Sequence, residues 1–362
     1  MAQAAKFFAR VYSPTGSTFR RVLDASLFLG LPQIVREVGK PAADLSIDLA
    51  LPWDNFGYGS AAGINLFDLV KVYAINEANP TGLLVYQGHV EEITGRFNKS
   101  DNHIQLRLFP IDLLLGRSLW KAASYTITYT TADVDTMFSD AIDDVNTIYG
   151  ATFFTKNLGN PALSINTIFD KMRHLDAMQQ AAAFLASTWY WRIRANGQID
   201  MQQFNDSTAD HRLTVEKHID DVEVVKSTLD LKNKILLSWG SPATDTEYSD
   251  ATSMTNYGRR MDAESETGIT NLASADARGN GDVARQKDPK TKTVITVNTQ
   301  YAIENILPGD TVRVVNVSGN TSQMLTGVLR VLRTEYDGVT CKLHLADVLD
   351  NFGTEFGKAI GQ

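Results

Sequence analysis

Residues 44–51, Asp-Leu-Ser-Ile-Asp-Leu-Ala-Leu, alternate polar and apolar positions and place Leu45, Ile47, Leu49 and Leu51 on one side, the period of a half-buried strand. Pro52 ends the run. Beyond a stretch containing Gly57, Gly59 and Gly63, residues 68–73, 84–93 and 102–109 alternate in the same way, separated by Gly, Asn and Pro clusters. This texture predicts an antiparallel barrel or sandwich. Near residue 131 the period lengthens: Val134, Met137, Phe138, Ala141, Val145 and Ile148 recur at helical spacing, with Thr131 as the expected cap and Gly150 as the stop. A second helix is expected over 174–187 through Leu175, Met178, Ala182 and Leu185. Alternating runs at 189–194 and 198–202 flank Asn196-Gly197, a strong hairpin signal. Strand patterning returns at 222–225 and 233–239, and again over 294–347. Between them lies a polar insertion, 241–292, expected to be partly mobile and to hold one helical piece near 270–286.

Three of these strands recur in order. Asp-Leu-Val-Lys-Val-Tyr at 68–73 matches Asp-Thr-Val-Arg-Val-Val at 310–315, and 88–93 matches 327–332 when Gly88 is set on Gly327. Ile104, Leu106 and Leu108 match Cys341, Leu343 and Leu345. The reading is a β-rich α+β chain in which two similar antiparallel, tube-like β-barrel domains flank an α+β middle domain. The expected divisions are a first barrel at 1–119, a middle domain at 120–219 and a second barrel at 220–240 and 293–347. The insertion at 241–292 interrupts that second barrel, and 348–362 forms a short amphipathic segment with Phe352, Phe356 and Ile360 at helical spacing.

Charge narrows the functional classes. The 362 residues carry 34 Lys and Arg against 42 Asp and Glu, a net charge of −8, which argues against tight binding to a phosphate backbone. Residues 120–222 hold 8 basic and 13 acidic side chains while 1–119 hold 11 of each, which sets the middle apart. The single cysteine, Cys341, forms no disulfide within the chain and suits synthesis in a reducing cytoplasm. No run approaches the roughly 18 apolar residues of a membrane-spanning helix, and the N-terminus lacks a signal-peptide pattern, so neither export nor membrane anchoring is expected.

Candidate chemistry is sparse. Nucleotide-loop, zinc-protease, nucleophile-elbow, dithiol and calcium-loop patterns are all missing from the sequence. Ser118-Leu-Trp-Lys121 fits a Ser-x-x-Lys pattern but lacks a Lys-Thr-Gly partner, and the glycines at 57, 59 and 63 precede a strand rather than opening a helix. The histidines at 89, 103, 174, 211, 218 and 344 show no ligand spacing, and Asp133, Asp135, Asp140, Asp143 and Asp144 spread over the solvent side of a helix. No catalytic, cofactor-binding or metal-binding residue is assigned. The alternative to a non-enzymatic role is a carbohydrate-binding or carbohydrate-degrading protein, with Trp189, Tyr190 and Trp191 as a stacking platform and acids such as Asp200 beside it. Alternation instead sends Trp189 and Trp191 into the core and leaves Tyr190 to solvent.

The chain resembles the baseplate hub proteins of long-tailed bacteriophages, whose fold is shared with the N-terminal part of tail-associated lysins and with the hub regions of type VI secretion spikes. The marks are the strand ending at Leu51-Pro52, the segments 68–73 and 85–93, the helix 175–185 leading to Trp189-Tyr190-Trp191, and the Asn196-Gly197 hairpin. Further on come residues 232–236, 250–253 with Tyr257-Gly258-Arg259, and Leu307-Pro308-Gly309-Asp310. The resemblance implies a homotrimer whose six barrels ring a channel, joining a sixfold tail tube to a threefold tip. It implies contacts with a distal ring protein, a tip fibre or spike and a tape-measure protein, and residence at the tail tip of a virion assembled in the bacterial host. DNA would pass through the channel without specific binding, past a lumen that is neutral or acidic on balance. Many relatives continue into a peptidase, lysozyme-like or fibre region, whereas this sequence ends at Gln362. Cell-wall cutting or receptor binding would then come from another subunit.

Overall fold

The computed structural model describes residues 5–50, 56–97, 102–120, 125–205, 207–315 and 327–346. Seven strands come first: β1 (Lys6–Tyr12), β2 (Phe19–Leu23), β3 (Ile34–Glu37), β4 (Leu45–Leu49), β5 (Leu69–Ile75), β6 (Leu83–Phe97) and β7 (Asn102–Pro110). Six of them form one antiparallel sheet in the order β2-β1-β5-β6-β7-β4. Its alternation is as the sequence predicts: Leu45, Ile47 and Leu49 of β4 are buried, opposite Leu108, Leu106 and Ile104 of β7. The glycines at 57 and 63 lie in tight turns, with Ser60 N–H donating to the Gly57 carbonyl, and Leu51-Pro52 lies outside the described residues.

The middle of the chain follows a one-turn helix α1 (Leu114–Arg117). It contains β8 (Thr126–Asp133), α2 (Val134–Tyr149), β9 (Thr155–Leu158), β10 (Ser164–Asp170), α3 (His174–Ala182), β11 (Trp189–Ile193) and β12 (Gln198–Gln203). Helix α2 buries Val134, Met137, Phe138, Ala141, Ile142 and Val145 and stops at Gly150 in the left-handed conformation. Two expectations fail at its ends. The N-cap position is Asp133 rather than Thr131, which belongs to β8, and Ile148 is exposed because the last turn has rotated off the core. Helix α3 also ends earlier than 187, in turns that bury Phe184 and Leu185.

The remaining elements are β13 (His211–Thr214), α4 (Val215–His218), β14 (Ile219–Ser227), β15 (Lys234–Trp239), β16 (Thr244–Ser249), α5 (Ala251–Tyr257), β17 (Met261–Glu266), α6 (Leu272–Gln286), β18 (Lys290–Asn298), β19 (Thr311–Val315), β20 (Leu329–Tyr336) and β21 (Thr340–Ala346). A second sheet runs β13-β19-β20-β21-β18-β14, and β3 from the first region pairs with the far end of β20, Arg36 opposite Thr334. Lys234–Trp239, expected in this sheet, lies instead between β16 and β17. The 241–292 insertion is thus folded, with two strands and two helices rather than one helical piece. Its apolar side joins the middle together with β15: Ile235 and Leu237 of β15 and Tyr248, Ile269, Ala275 and Val283 of the insertion pack in one cluster with Phe138, Met178 and Trp191. Arg285 fastens it, donating to the carbonyls of Leu185 at 2.7 Å and Ala183 at 3.0 Å beyond the end of α3.

The molecule therefore has two principal cores. One is this middle cluster, and the other is a continuous cluster shared by both large curled sheets, from Phe7, Val11 and Leu106 to Ile295, Val312 and Leu343. Along their joint Phe7 meets Tyr336 edge to face at 6.0 Å, and Ala5 N–H donates to the Gly338 carbonyl.

Candidate functional site

The repeat read from the sequence is a three-strand meander, β5-β6-β7 in one sheet and β19-β20-β21 in the other. Each copy begins with the same turn. In the first, Asn65 N–H donates to the Asp68 carboxylate at 2.8 Å while Asp68 N–H donates to the Asn65 carbonyl at 3.2 Å. In the second, Leu307 N–H donates to the Asp310 carboxylate at 2.8 Å and Asp310 N–H to the Leu307 carbonyl at 3.1 Å. The turns dock on equivalent strands: Val90 N–H donates to the Asp68 carbonyl and Phe67 N–H to Val90, as Val331 N–H does to Asp310 and Gly309 N–H to Val331.

These bonds place Val90 on Val331, so Gly88 corresponds to Leu329 and the match of Gly88 with Gly327 is out of register by two residues. The first and third strands keep the expected alignment. Both copies also carry a register shift at the same place, between Val90 and Glu92 against β7 and between Val331 and Arg333 against β21. Such bulges bend a strand and raise its twist, and their repetition gives the two sheets the same local curl.

Around the second turn the middle region closes in. The Ala195-Asn196-Gly197 connection sets the β11/β12 register, with Gly197 at φ +83°, and so puts Arg192 opposite Asp200. The Arg192 guanidinium donates to Asp200 at 2.8 Å, to Asp310 at 2.7 Å and to the Pro308 carbonyl at 2.8 Å. His211 contacts Asp310 at 3.0 Å through Nε2 and the Tyr301 hydroxyl at 3.0 Å through Nδ1. Burial alone would raise the Asp310 carboxyl, but His211 and Arg192 hold it below the usual carboxylate range. Asp200 is fully buried, and Arg192, Asn157 and Arg194 outweigh its desolvation in the same way. Saturated by donors, it is no general acid.

Tyr190 was expected in water and is instead 7% exposed, its ring 4.6 Å from Phe204, with Val38 in the same small cluster. Trp191 is fully buried edge-on to Phe138, and Trp189 packs on the middle core as expected. The three aromatic rings therefore form no sugar-stacking platform: alternation splits them between two faces, both covered. The Arg192–Asp200 pair is not legible from Asn196-Gly197 alone: a two-residue loop there would set Arg192 against Met201, whereas the three-residue connection Ala195-Asn196-Gly197 sets it against Asp200.

Two other clusters have the residue types of catalysis without its geometry. Ser118 Oγ lies 3.2 Å from His174 Nδ1, and His174 Nε2 lies 2.7 Å from Asp144. The same Nδ1 also faces the Ser118 carbonyl at 3.0 Å, so the ring, fully buried, ties α3 to the segment after α1 and to α2. Lys121 lies outside the described residues. On α2, Asp140 accepts from the Tyr129 hydroxyl and Asp143 pairs with Lys156, while Asp135 is half-buried in the first turn. Among the described residues no three His, Cys, Asp or Glu side chains converge as metal ligands, and no helix is long and apolar enough to cross a membrane.

No protein-family model matches the sequence, and no curated protein matches it. Solved structures do. A prophage tail protein, gp18, from Listeria monocytogenes EGD-e superposes with a TM-score of 0.61 at 10% identity, over 98% of this chain and 97% of that one. The 43 kDa tail protein of prophage MuSo2 from Shewanella oneidensis gives 0.62 at 10% identity over 94% and 98%. The E. coli c3393 protein, a type VI secretion component similar in structure to T4 tail proteins gp27 and gp5, gives 0.51 at 10% identity over 97% and 76%. At such identities the likeness is one of fold, and it runs nearly the whole length of the chain. The chain has the fold of these phage tail proteins, shared with a component of type VI secretion.

Proposed function

We propose that this protein is a structural hub at the distal end of a phage tail and acts by assembly, not catalysis. Three copies form a ring in which each contributes two similar tube-like units, so a threefold particle presents six quasi-equivalent faces. Such a ring mates with a sixfold tail tube on one side and a threefold fibre or spike on the other. The observation that carries this reading is the duplicated meander, with the same aspartate turn and the same bulge in both copies. The domain divisions follow it, with two amendments: β15 and the 241–292 segment belong with the middle region, and β13, at 211–214 within the expected 120–219, joins β14 and β18–β21 in the second unit.

The partners are a distal tail ring, a tip protein and the tape-measure protein. DNA leaves through the central channel without being held, as the net charge of −8 favours. The protein resides in the virion and is made in the host cytoplasm. Absolute mass in solution, by light scattering or native mass spectrometry over a concentration series, tests the reading. A species three times the 39.9 kDa chain mass is expected, and a monomer at every concentration would overturn self-assembly.

A further inference from the structure

On the solvent face of β1 and β5, Arg10 stands directly opposite Lys71. Like charges in that position repel, with Cβ atoms about 5 Å apart, and a sheet normally avoids them. Among the described residues neither side chain forms an ion pair. Each is held over aromatic rings instead: Arg10 lies 5.3 Å from the Tyr73 centroid and 5.7 Å from Phe8, which stacks on Tyr73 at 4.8 Å, and Lys71 lies 5.2 Å from Tyr12. The result is a cationic and aromatic surface, extended at its edge by Phe19, 54% exposed, and Val22. Aromatic and Arg side chains of this kind anchor protein interfaces.

The second sheet carries the opposite pattern. Its edge strand β14 sends Val222 and Val224 toward the core and leaves Asp221, Glu223 and Val225 on the outer side. Asp221 and Glu223 form no ion pair among the described residues. They are same-face neighbours roughly 7 Å apart, with Val294 and Thr296 of β18 beside them. A cation pair without a carboxylate thus has its complement, in charge and in apolar content, on the other repeat-bearing sheet.

We propose that the Arg10–Lys71 face of one copy packs on the outer face of β14 of a second copy, Asp221 and Glu223 meeting the two cations. This rests on the hub reading and names the contact that joins neighbouring subunits. It covers the charged and apolar outer face of the edge strand β14.

The test is charge reversal with rescue, read as solution mass. Arg10→Glu with Lys71→Glu, or Asp221→Lys with Glu223→Lys, each raises the concentration needed for assembly by roughly tenfold or more. The four changes together restore it. Melting curves show that each variant is folded, since none of the four side chains is part of a core. If the wild type assembles and the reversals leave its mass unchanged, this contact is wrong while the hub reading stands. A wild-type monomer overturns both. If the Arg10 and Lys71 reversal abolishes salt-sensitive binding to a short DNA duplex without changing the mass, the cations serve phosphate and the inference fails.

Discussion

The turns at 65–68 and 307–310 have the same hydrogen bonds but different surroundings. The second is enclosed: Arg192 and His211 reach Asp310 from the middle hairpin and β13, and a Cβ added to Gly309 would sit 2.2 Å from the Tyr190 ring. The first is open. Asp68 is buried and, among the described residues, pairs with the single cation Arg20, at 3.0 Å, while Leu66 and Phe67 are 43% and 53% exposed. Phe67 occupies the left-handed position, φ +64°, that Gly309 fills in the other copy. One local design thus serves two ends. A turn locked by a neighbouring region becomes a joint, and a turn left free presents apolar side chains to solvent.

The equivalence of the copies breaks most severely in their cores. Val72 and Val314 occupy the same position, four residues past the turn aspartate, and both are buried. Replacing either with Asp leaves an unpaired charge inside the shared cluster, at a cost on the order of 3–5 kcal/mol. Both variants should fail to give soluble, folded protein, or melt far below the wild type. Normal melting of one alone would show that the sheets are not equally load-carrying in the common core.

The aspartates should respond in opposite directions to pH. Burial raises the Asp68 carboxyl above its usual range despite Asn65 and Arg20, so this group favours the fold in its protonated form. Its contribution is present below the unfolded pKa and is lost as pH rises through the raised folded value. Asp310 lies below its usual range, so its stabilisation is present at neutral pH and is lost as pH falls through the depressed value. Asp310→Asn is expected to cost about 2–3 kcal/mol near pH 7, because Arg192 and His211 lose their shared anion. That penalty should shrink as the solution is acidified below pH about 4. Asp68→Asn should cost less at pH 7, and its penalty should grow on acidification. Denaturant melts of both variants from pH 3 to 7, chosen to bracket ordinary carboxylate values of about 3.9, read the two slopes. Parallel slopes would erase the distinction between joint and open turn.

What the sequence made legible follows from the range of each signal. Alternation in residues 44–49, 68–73 and 102–109 is set by neighbours two positions apart and reports the sheets directly. The Asn196-Gly197 pair fixes its own hairpin. The order of the meanders was visible, yet their alignment slipped by two residues because Gly88 and Gly327 look alike. The bulge that sets the true register has no residue signature of its own. Alternation misplaces Tyr190 because part of its cover, Val38 and Leu332, lies more than a hundred residues away in either direction, even though Phe204 is close in sequence. The same distance hid the pairing of β3 with β20 and the transfer of β15 to the middle, both decided by packing rather than by local propensity.

The smallest expected effects fall on the residue before each turn aspartate and should differ in sign. Gly309→Ala must place a methyl group at φ +93° and against Tyr190, so it should destabilise by about 1–3 kcal/mol. Phe67→Gly removes a left-handed strain of about 1–2 kcal/mol, offset by the roughly 0.5–1 kcal/mol of chain entropy that glycine adds to the unfolded state. The isolated subunit should therefore gain up to about 1.5 kcal/mol, a rise in melting temperature of a few degrees at most. If Phe67→Gly instead destabilises the isolated subunit, the Phe67 ring contributes packing that its 53% exposure does not suggest, and the first turn is a joint like the second. If it stabilises the subunit but weakens assembly, the strain is retained because the exposed ring is used between subunits, and the comparison of the two turns becomes one of inner and outer contacts.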